Sequence, residues 1–259
     1  IIMVKQIDKE KNIIFLHIPK TGGTSINDAI IRNECSYDNP LNDLKKNLDF
    51  TNRVSSSHSN IKQLGLTKEG SDKYEIFTVI RNPFTRIAST YNHFIQGPEN
   101  QAQTIPWTTE TYSFKEYLNN IKQYFEGKLI VSLPDENGNG NFLYRAFTQE
   151  NLYRTQNFGE DLKFLLDIRH IEKLSWWLET TDGLSASCTY LRFEQLEKDW
   201  GSFKEKLNIN EPIQHLNKNV LTGVGAERPE DYMSYYDEEC KEIVQKLYAQ
   251  EVVRFYDWL

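Results

Sequence analysis

The chain has 259 residues, of which 39% are hydrophobic and 26% are charged, and its formal net charge is -7 at pH 7. This length and apolar content suffice for one sizeable core, so we expect a single domain over residues 1–259. The acidic balance counts against a nucleic acid partner, because a non-specific hold on its backbone needs an excess of cations. No apolar run reaches the ~20 residues of a membrane-spanning helix. We therefore expect no membrane span and a cytoplasmic protein, with the lumenal domain of a truncated, membrane-anchored enzyme as the alternative.

The cysteines and histidines indicate no metal site. Cys35, Cys188 and Cys240 are scattered and odd in number, so they form neither a metal-ligand spacing nor an evident disulfide framework. We expect buried thiols. The five histidines likewise contain no pair with metal-ligand spacing.

The first predicted elements are a strand, a glycine turn and a helix. Residues 12–18 (NIIFLHI) are short, apolar and β-branched, which is typical of a buried strand. The turn follows at once, and Ile26, Ala29 and Ile30 then recur at helical spacing. This order is typical of an α/β fold with a central, mostly parallel sheet flanked by helices.

The turn indicates an anion-binding site. A glycine turn between a strand and a helix points several backbone N–H groups into one concavity, to which the helix dipole adds positive potential. The hydroxyls offer further donors, and the lysine supplies a charge for an oxygen that becomes more negative during a reaction. The alternative is an N-capped helix with a surface lysine. The residues that we expect to line the site are Lys20, Thr21, Gly22, Gly23, Thr24 and Ser25.

The residue order in this turn differs from that of nucleotide hydrolases. Their loop ends in Gly-Lys-Ser/Thr, whereas Lys20 precedes both glycines here. No carboxylate is obviously placed after the second strand to hold Mg²⁺. The turn is therefore expected to bind its anion without a metal.

A second anion site is predicted after the second strand, at residues 74–80 (YEIFTVI). Arg81 follows this strand directly, and Pro83 suits the first turn of a helix. Ser89 comes about two helical turns later, so Arg81 and Ser89 are expected to converge on one phosphate. Arg86 lies one turn before Ser89 and is interpreted as either a helper at this site or a solvated charge. Two anion sites on neighbouring strands indicate a ligand with phosphates at both ends.

The later elements are a third strand over residues 189–193 (TYLRF), a helix over residues 196–207, and a last helix that begins near Asp237 as its N-cap. Two polar loops, 97–111 and 133–141, are long enough to be functional lids or plain surface insertions. A Gly-rich loop over residues 215–230 carries Lys218.

The segments HIPKTGGTS (17–25) and RNPFTRIASTY (81–91) resemble the sulfotransferases that use 3′-phosphoadenosine 5′-phosphosulfate (PAPS). They are most similar to the carbohydrate branch typified by heparan sulfate 2-O-sulfotransferase. The resemblance implies a P-loop-like sulfotransferase fold, in which the first segment binds the 5′-phosphosulfate and Arg81 with Ser89 binds the 3′-phosphate. Residues 190–200 and 235–258 resemble the family more loosely. Residues 95–185 match no family segment, and we expect there a helical or loop insertion that shapes the acceptor site.

The resemblance also implies a catalytic base and a basic loop. The family has a catalytic histidine between the two anion-binding segments, which here is His58 in VSSSHSNIKQLG. Serines surround His58 where the family usually has glycine. The alternative is that His58 is a polar loop residue without a catalytic role. Related enzymes place a basic loop over the nucleotide, so Lys218 is expected at the 3′-phosphate or else in a solvated connection.

These observations predict a sulfotransferase that moves the sulfuryl group of PAPS to a hydroxyl or amine of a carbohydrate or small metabolite, in line and without a metal. His58 would take the acceptor proton, and Lys20 would stabilise the leaving phosphate. The alternatives are a P-loop nucleotide kinase or hydrolase, which would require Mg²⁺, and a non-catalytic nucleotide-binding module.

Overall fold

The computed structural model describes residues 4–8, 11–32, 60–94, 113–126, 169–207, 212–213 and 231–255. The chain divides into two compact units, one formed by Ile1–Arg81 with Glu172–Asn219 and the other by Asn82–Ile171 with Val220–Leu259. Each unit therefore takes segments from separate parts of the chain. The prediction of a single domain over residues 1–259 stays a prediction.

The first unit contains a four-stranded sheet in the order β1-β2-β3-β4. The strands are β1 (Val4–Asp8), β2 (Lys11–Leu16), β3 (Tyr74–Ile80) and β4 (Thr189–Arg192). β1 is antiparallel to β2, whereas β2, β3 and β4 are mutually parallel neighbours. The predicted α/β fold with a mostly parallel sheet is confirmed.

The helices in chain order are α1 (Gly23–Arg32), α2 (Lys68–Ser71), α3 (Pro83–Phe94), α4 (Phe114–Phe125), α5 (Leu174–Leu178), α6 (Leu196–Lys204), α7 (Glu238–Leu247) and α8 (Ala249–Phe255). Two short 3₁₀ turns span Phe193–Gln195 and Tyr232–Tyr235. α4 begins with a capping box between Ser113 and Glu116. None of the helices in these described ranges is long and apolar enough to cross a membrane.

In the first unit, residues 13–16 of β2 and the second half of β3 are buried on both faces, as parallel strands between helices are expected to be. The last five residues of β3 are all buried, which explains its uninterrupted apolar run. One face of the sheet packs against α1 and α6. The buried residues of this core cluster are Ile13, Phe15, Ile26, Ala29, Ile30, Phe77, Val79, Leu191, Leu196, Trp200, Phe203 and Leu207.

The second unit is helical, with a core formed by the apolar faces of α3, α4 and α7. Its aromatic rings pack edge to face, for example Tyr91 against Phe114 with centroids 5.2 Å apart. Asp237 caps α7 as predicted, since its carboxylate accepts a hydrogen bond from the Cys240 N–H. Burial raises the pKa of the Cys240 thiol to about 11, so this thiol stays protonated and apolar in the folded protein.

The element bounds differ from the sequence prediction only at their ends. The second strand lies where predicted, over Tyr74–Ile80. The first strand ends at Leu16 rather than residue 18, because the chain turns there. The third strand ends at Arg192, and Phe193 begins a 3₁₀ turn instead. The polar edge strand β1 was not anticipated from the sequence.

Candidate functional site

The turn between β2 and α1 contains two residues with a left-handed backbone conformation. Lys20 has φ of 63° and Gly22 has φ of 84°, and the residues between and after them do not share this left-handed conformation. Such alternation turns successive N–H groups toward one concavity. A left-handed backbone conformation costs a residue with a side chain roughly 1–2 kcal/mol relative to the right-handed one. Strain of this kind at Lys20 is typical of functional sites.

Hydrogen bonds inside the turn fix its shape. The Thr21 hydroxyl donates to the Ile18 carbonyl at 2.8 Å, and Thr21 is only 1% exposed. The Ser25 N–H donates to the Gly22 carbonyl at 3.0 Å. The Thr21 hydroxyl, predicted as an anion donor, thus shapes the loop itself in this structure. Thr24 at the start of α1 is exposed, and helix N-terminal N–H groups such as its own have no acceptor within the helix.

Two aromatic rings lie directly against the two glycines. A Cβ on Gly22 would lie 2.8 Å from Phe193 Cδ2, and a Cβ on Gly23 would lie 2.1 Å from His17 Cδ2. The His17 ring also stacks on Phe15, with centroids 5.6 Å apart. Glycine is therefore needed at both positions for packing within the protein.

Arg81 reaches the turn from the end of the neighbouring strand. Its Nη1 donates to the Lys20 carbonyl at 3.0 Å. Its guanidinium carbon lies 4.4 Å from the centre of the Phe193 ring. β2, β3 and β4 are parallel, so the residues after their carboxyl ends meet at one edge of the sheet. The first segment predicted to bind an anion and Arg81 are thus brought together within the first unit.

An ion pair holds Arg192, the residue that precedes Phe193. The Arg192 guanidinium donates to both oxygens of Asp199, at 3.0 and 2.9 Å, and the Arg192 N–H donates to the same carboxylate at 2.8 Å. The hydrogen bonds from Arg192 hold the pKa of the Asp199 carboxyl below its usual value. The pair ties the end of β4 to α6, immediately beside Phe193.

The remaining predicted site residues are not brought together by the described structure. Ser89 lies on α3, which belongs to the second unit, and is half-buried. His58 and Lys218 lie outside the described residues, as do both predicted polar loops. Their roles stay predictions.

Arg86 belongs to the second unit and is 2% exposed, so its interpretation as a solvated charge is wrong. Its Nη2 lies 3.6 Å from Glu251 Oε2, and its Nη1 donates to the His170 carbonyl at 3.2 Å. Its guanidinium carbon also lies 5.2 Å from the centre of the Tyr248 ring. Arg86 thus joins α3, α8 and the turn at residues 169–171.

Sequence reasoning missed the part played by Phe193. Its signal was an aromatic residue at the end of the third predicted strand, 189–193, and in the structure it follows β4 directly, as Arg81 follows β3. Among the residues that the structure describes, no group of His, Cys, Asp or Glu side chains is arranged to hold a metal ion.

A strand, a turn with a left-handed lysine and a helix, joined by an arginine from the next strand, define an α/β protein with a candidate anion-binding turn. The sequence profile of the Sulfotransferase family matches residues 6–257, which is nearly the whole chain. The chain therefore belongs to the sulfotransferase family and is a sulfotransferase enzyme. The match also spans residues 95–185, where sequence reasoning found no resemblance. No curated protein and no solved structure matches the chain.

Proposed function

We propose that this sulfotransferase takes its sulfuryl group from PAPS and transfers it to a hydroxyl or amine of a carbohydrate or small metabolite. The observation that carries the donor assignment is the hydrogen bond from Arg81 to the Lys20 carbonyl. This bond brings a second cation to a turn that already has a lysine and a helix N-terminus, as a donor with several phosphate charges requires. PAPS is also the donor that the family typically uses.

The proposed donor contacts divide between the two segments. Backbone N–H groups from Lys20 to Ser25 hold the oxygens of the 5′-phosphosulfate, and Gly22 and Gly23 let the backbone approach them. Arg81 and Ser89 bind the 3′-phosphate, and Lys218 adds a further cation there. These assignments follow the resemblance to PAPS-dependent sulfotransferases.

The proposed reaction is a direct in-line transfer. The acceptor oxygen or nitrogen forms a bond to sulfur while the bond from sulfur to the 5′-phosphate oxygen breaks. His58 takes the proton that the acceptor loses. The Lys20 ammonium stabilises the negative charge that develops on the departing phosphate oxygen. Catalysis then depends on positioning and electrostatics, for which a rigid turn is well suited.

The resemblance to heparan sulfate 2-O-sulfotransferase favours a sugar hydroxyl as the acceptor. The acidic net charge of -7 disfavours a long sulfated polymer. We therefore propose a small metabolite or a glycan precursor as the acceptor. We propose that residues 95–185 shape the site that binds it. A screen of sugars, phenols and amines with sulfur-labelled PAPS identifies the acceptor class.

Calorimetric titration of the wild-type chain tests the donor assignment. We expect 3′-phosphoadenosine 5′-phosphate (PAP) to bind at least about tenfold more tightly than AMP, because a charged hydrogen bond contributes roughly 1.5–3 kcal/mol. Omission of Mg²⁺ should leave this difference unchanged. Equal affinities for PAP and AMP would refute the proposal, and a strong preference for Mg²⁺-ATP would favour the nucleotide kinase or hydrolase.

The variant His58→Ala tests the base. Its turnover should fall by about 10²–10⁴-fold, the usual contribution of a general base, while the affinity for PAP stays close to that of the wild type. Ser56→Ala in the same segment is the matched control and should keep full activity. Unchanged turnover in His58→Ala removes this histidine from the mechanism, and PAP binding without any turnover in the wild type favours the non-catalytic module.

A further inference from the structure

Phe193 lies where three strand ends meet the anion-binding turn. It is the first residue after β4, and its ring lies against the backbone of Gly22 and under the guanidinium of Arg81. The ring thus contacts both the turn that follows β2 and the arginine that follows β3. Both neighbours are residues that the proposed donor would contact.

The exposure of this ring argues against a role in the core. Phe193 is 36% exposed, and within the described part of the chain it is absent from the core cluster that packs against the sheet. The neighbouring core residue Leu196 is 5% exposed by comparison. The rest of the residue is covered by its neighbours, which include the Arg81 guanidinium and the backbone of Gly22.

The position of the Phe193 ring is fixed by the hydrogen bonds of the residue that precedes it. Arg192 is bound by Asp199 through its backbone N–H and its guanidinium. The chain therefore leaves β4 in one direction, and the 3₁₀ turn over Phe193–Gln195 begins at once. A ring held in this way limits where the Arg81 guanidinium can lie.

We propose that Phe193 is a positioning residue for the donor site, which holds the Arg81 guanidinium against the Lys20 carbonyl and keeps the turn in its anion-binding form. This inference rests on the proposed PAPS binding. The face of an aromatic ring attracts a cation, so the ring stabilises one placement of Arg81 without using its N–H donors. The absence of a side chain at Gly22 leaves the space that the ring occupies.

A double-mutant cycle on PAP affinity tests the inference. Phe193→Leu keeps an apolar side chain but loses the aromatic face, and we expect PAP affinity to fall about threefold to tenfold. Phe193→Tyr keeps the ring and should retain the wild-type affinity. In an Arg81→Ala background, Phe193→Leu should change the affinity by less than about twofold. Equal losses in both backgrounds, or no loss in either, would overturn the inference.

Phe203→Leu is the matched control, because Phe203 is a buried core residue of the same unit at 3% exposure. It should lower the thermal midpoint more than Phe193→Leu does, yet leave PAP affinity and its coupling to Arg81 unchanged. A coupling of the same size for Phe203→Leu would show a general structural effect and overturn the positioning role.

Amide hydrogen exchange in residues 17–25 tests the contact between Phe193 and the turn without any ligand. Exchange should be faster in Phe193→Leu than in the wild type and Phe193→Tyr, and unchanged exchange overturns the inference. If the wild type bound PAP no better than AMP, the proposed function would fail, while exchange would still decide whether Phe193 holds the turn.

Discussion

Arg81 and Arg86 are close in the sequence, but they belong to two regions that use a cation differently. Arg81 directly follows β3 in the first unit, is half-buried, and contacts a backbone carbonyl and a ring at the carboxyl edge of the sheet. Arg86 is buried in the second unit, where Glu251 and the His170 carbonyl surround its guanidinium. We propose that the first cation binds an anionic ligand, whereas the second joins three segments of the fold.

The comparison shows that the role of an arginine depends on its place in the fold, either at the end of a strand or inside a helix. Arg81 precedes the helix and extends from a strand end, where side chains line the edge at which open α/β sheets bind ligands. Arg86 lies one turn inside α3 on the face that packs into the helical core. A motif that contains both arginines therefore combines one expected ligand contact and one structural contact.

The largest effect of a substitution is expected on folding stability, at the buried Arg86. Arg86→Met removes the cation and leaves Glu251 partly buried, with 14% of its side chain exposed. Breaking a buried ion pair by removing one partner costs about 3–5 kcal/mol, and chemical denaturation measures this loss. Lys246→Met in the exposed pair with Glu242 is the control and should cost less than about 0.5 kcal/mol. A loss below about 1 kcal/mol in Arg86→Met would contradict the structural role.

A smaller effect, on binding rather than on stability, is expected at Arg81. Arg81→Ala should weaken PAP binding by about 10–100-fold, since a hydrogen bond to a charged group contributes roughly 1.5–3 kcal/mol. The thermal midpoint should change little, because Arg81 lies at the sheet edge. Arg81→Lys restores the charge but not the planar guanidinium, so it should recover only part of the affinity. Loss of stability with intact PAP affinity would reverse the roles assigned to the two arginines.

The smallest effect concerns the ion pair that supports Phe193. The pKa of Asp199 is lowered in the folded state chiefly by hydrogen bonds from the Arg192 side chain. Its contribution to stability is therefore present above the unfolded pKa near 3.8 and is lost as pH falls through the lower folded pKa. Asp199→Asn should cost about 1 kcal/mol at pH 7 and flatten the acid limb of the stability curve. Glu205→Gln, at an exposed carboxyl of the same segment, should leave that limb unchanged.

Several elements of the fold were predictable because their signals are local. The apolar run of β3 and the capping carboxylate of Asp237 each specify an element from a few adjacent residues. The glycine turn after β2 was likewise apparent, since a lysine, two adjacent glycines and three hydroxyls occupy the six residues 20–25 after an apolar run. β1 escaped prediction because its mostly polar sequence, VKQID, lacks the alternation of a half-buried strand and becomes a strand only through pairing with β2.

The contacts around the candidate site were less predictable because they join distant segments. The glycines were explained from the sequence by the approach of an anion alone, whereas the structure places the His17 and Phe193 rings against them as well. The Thr21 hydroxyl was expected to face the ligand, yet it bonds to Ile18. Such partners depend on which strands become neighbours.

The sequence by itself determined the family, the strand-turn-helix order and the residue types of an anion-binding turn, because backbone conformation and local charge follow from adjacent residues. Only the tertiary structure decided that Arg81 bonds to the Lys20 carbonyl, that Phe193 lies between Arg81 and Gly22, and that Arg86 is buried. The physical reason is that parallel pairing of β2, β3 and β4 brings their carboxyl ends to one edge, and packing of helices selects which side chains lose their contact with water.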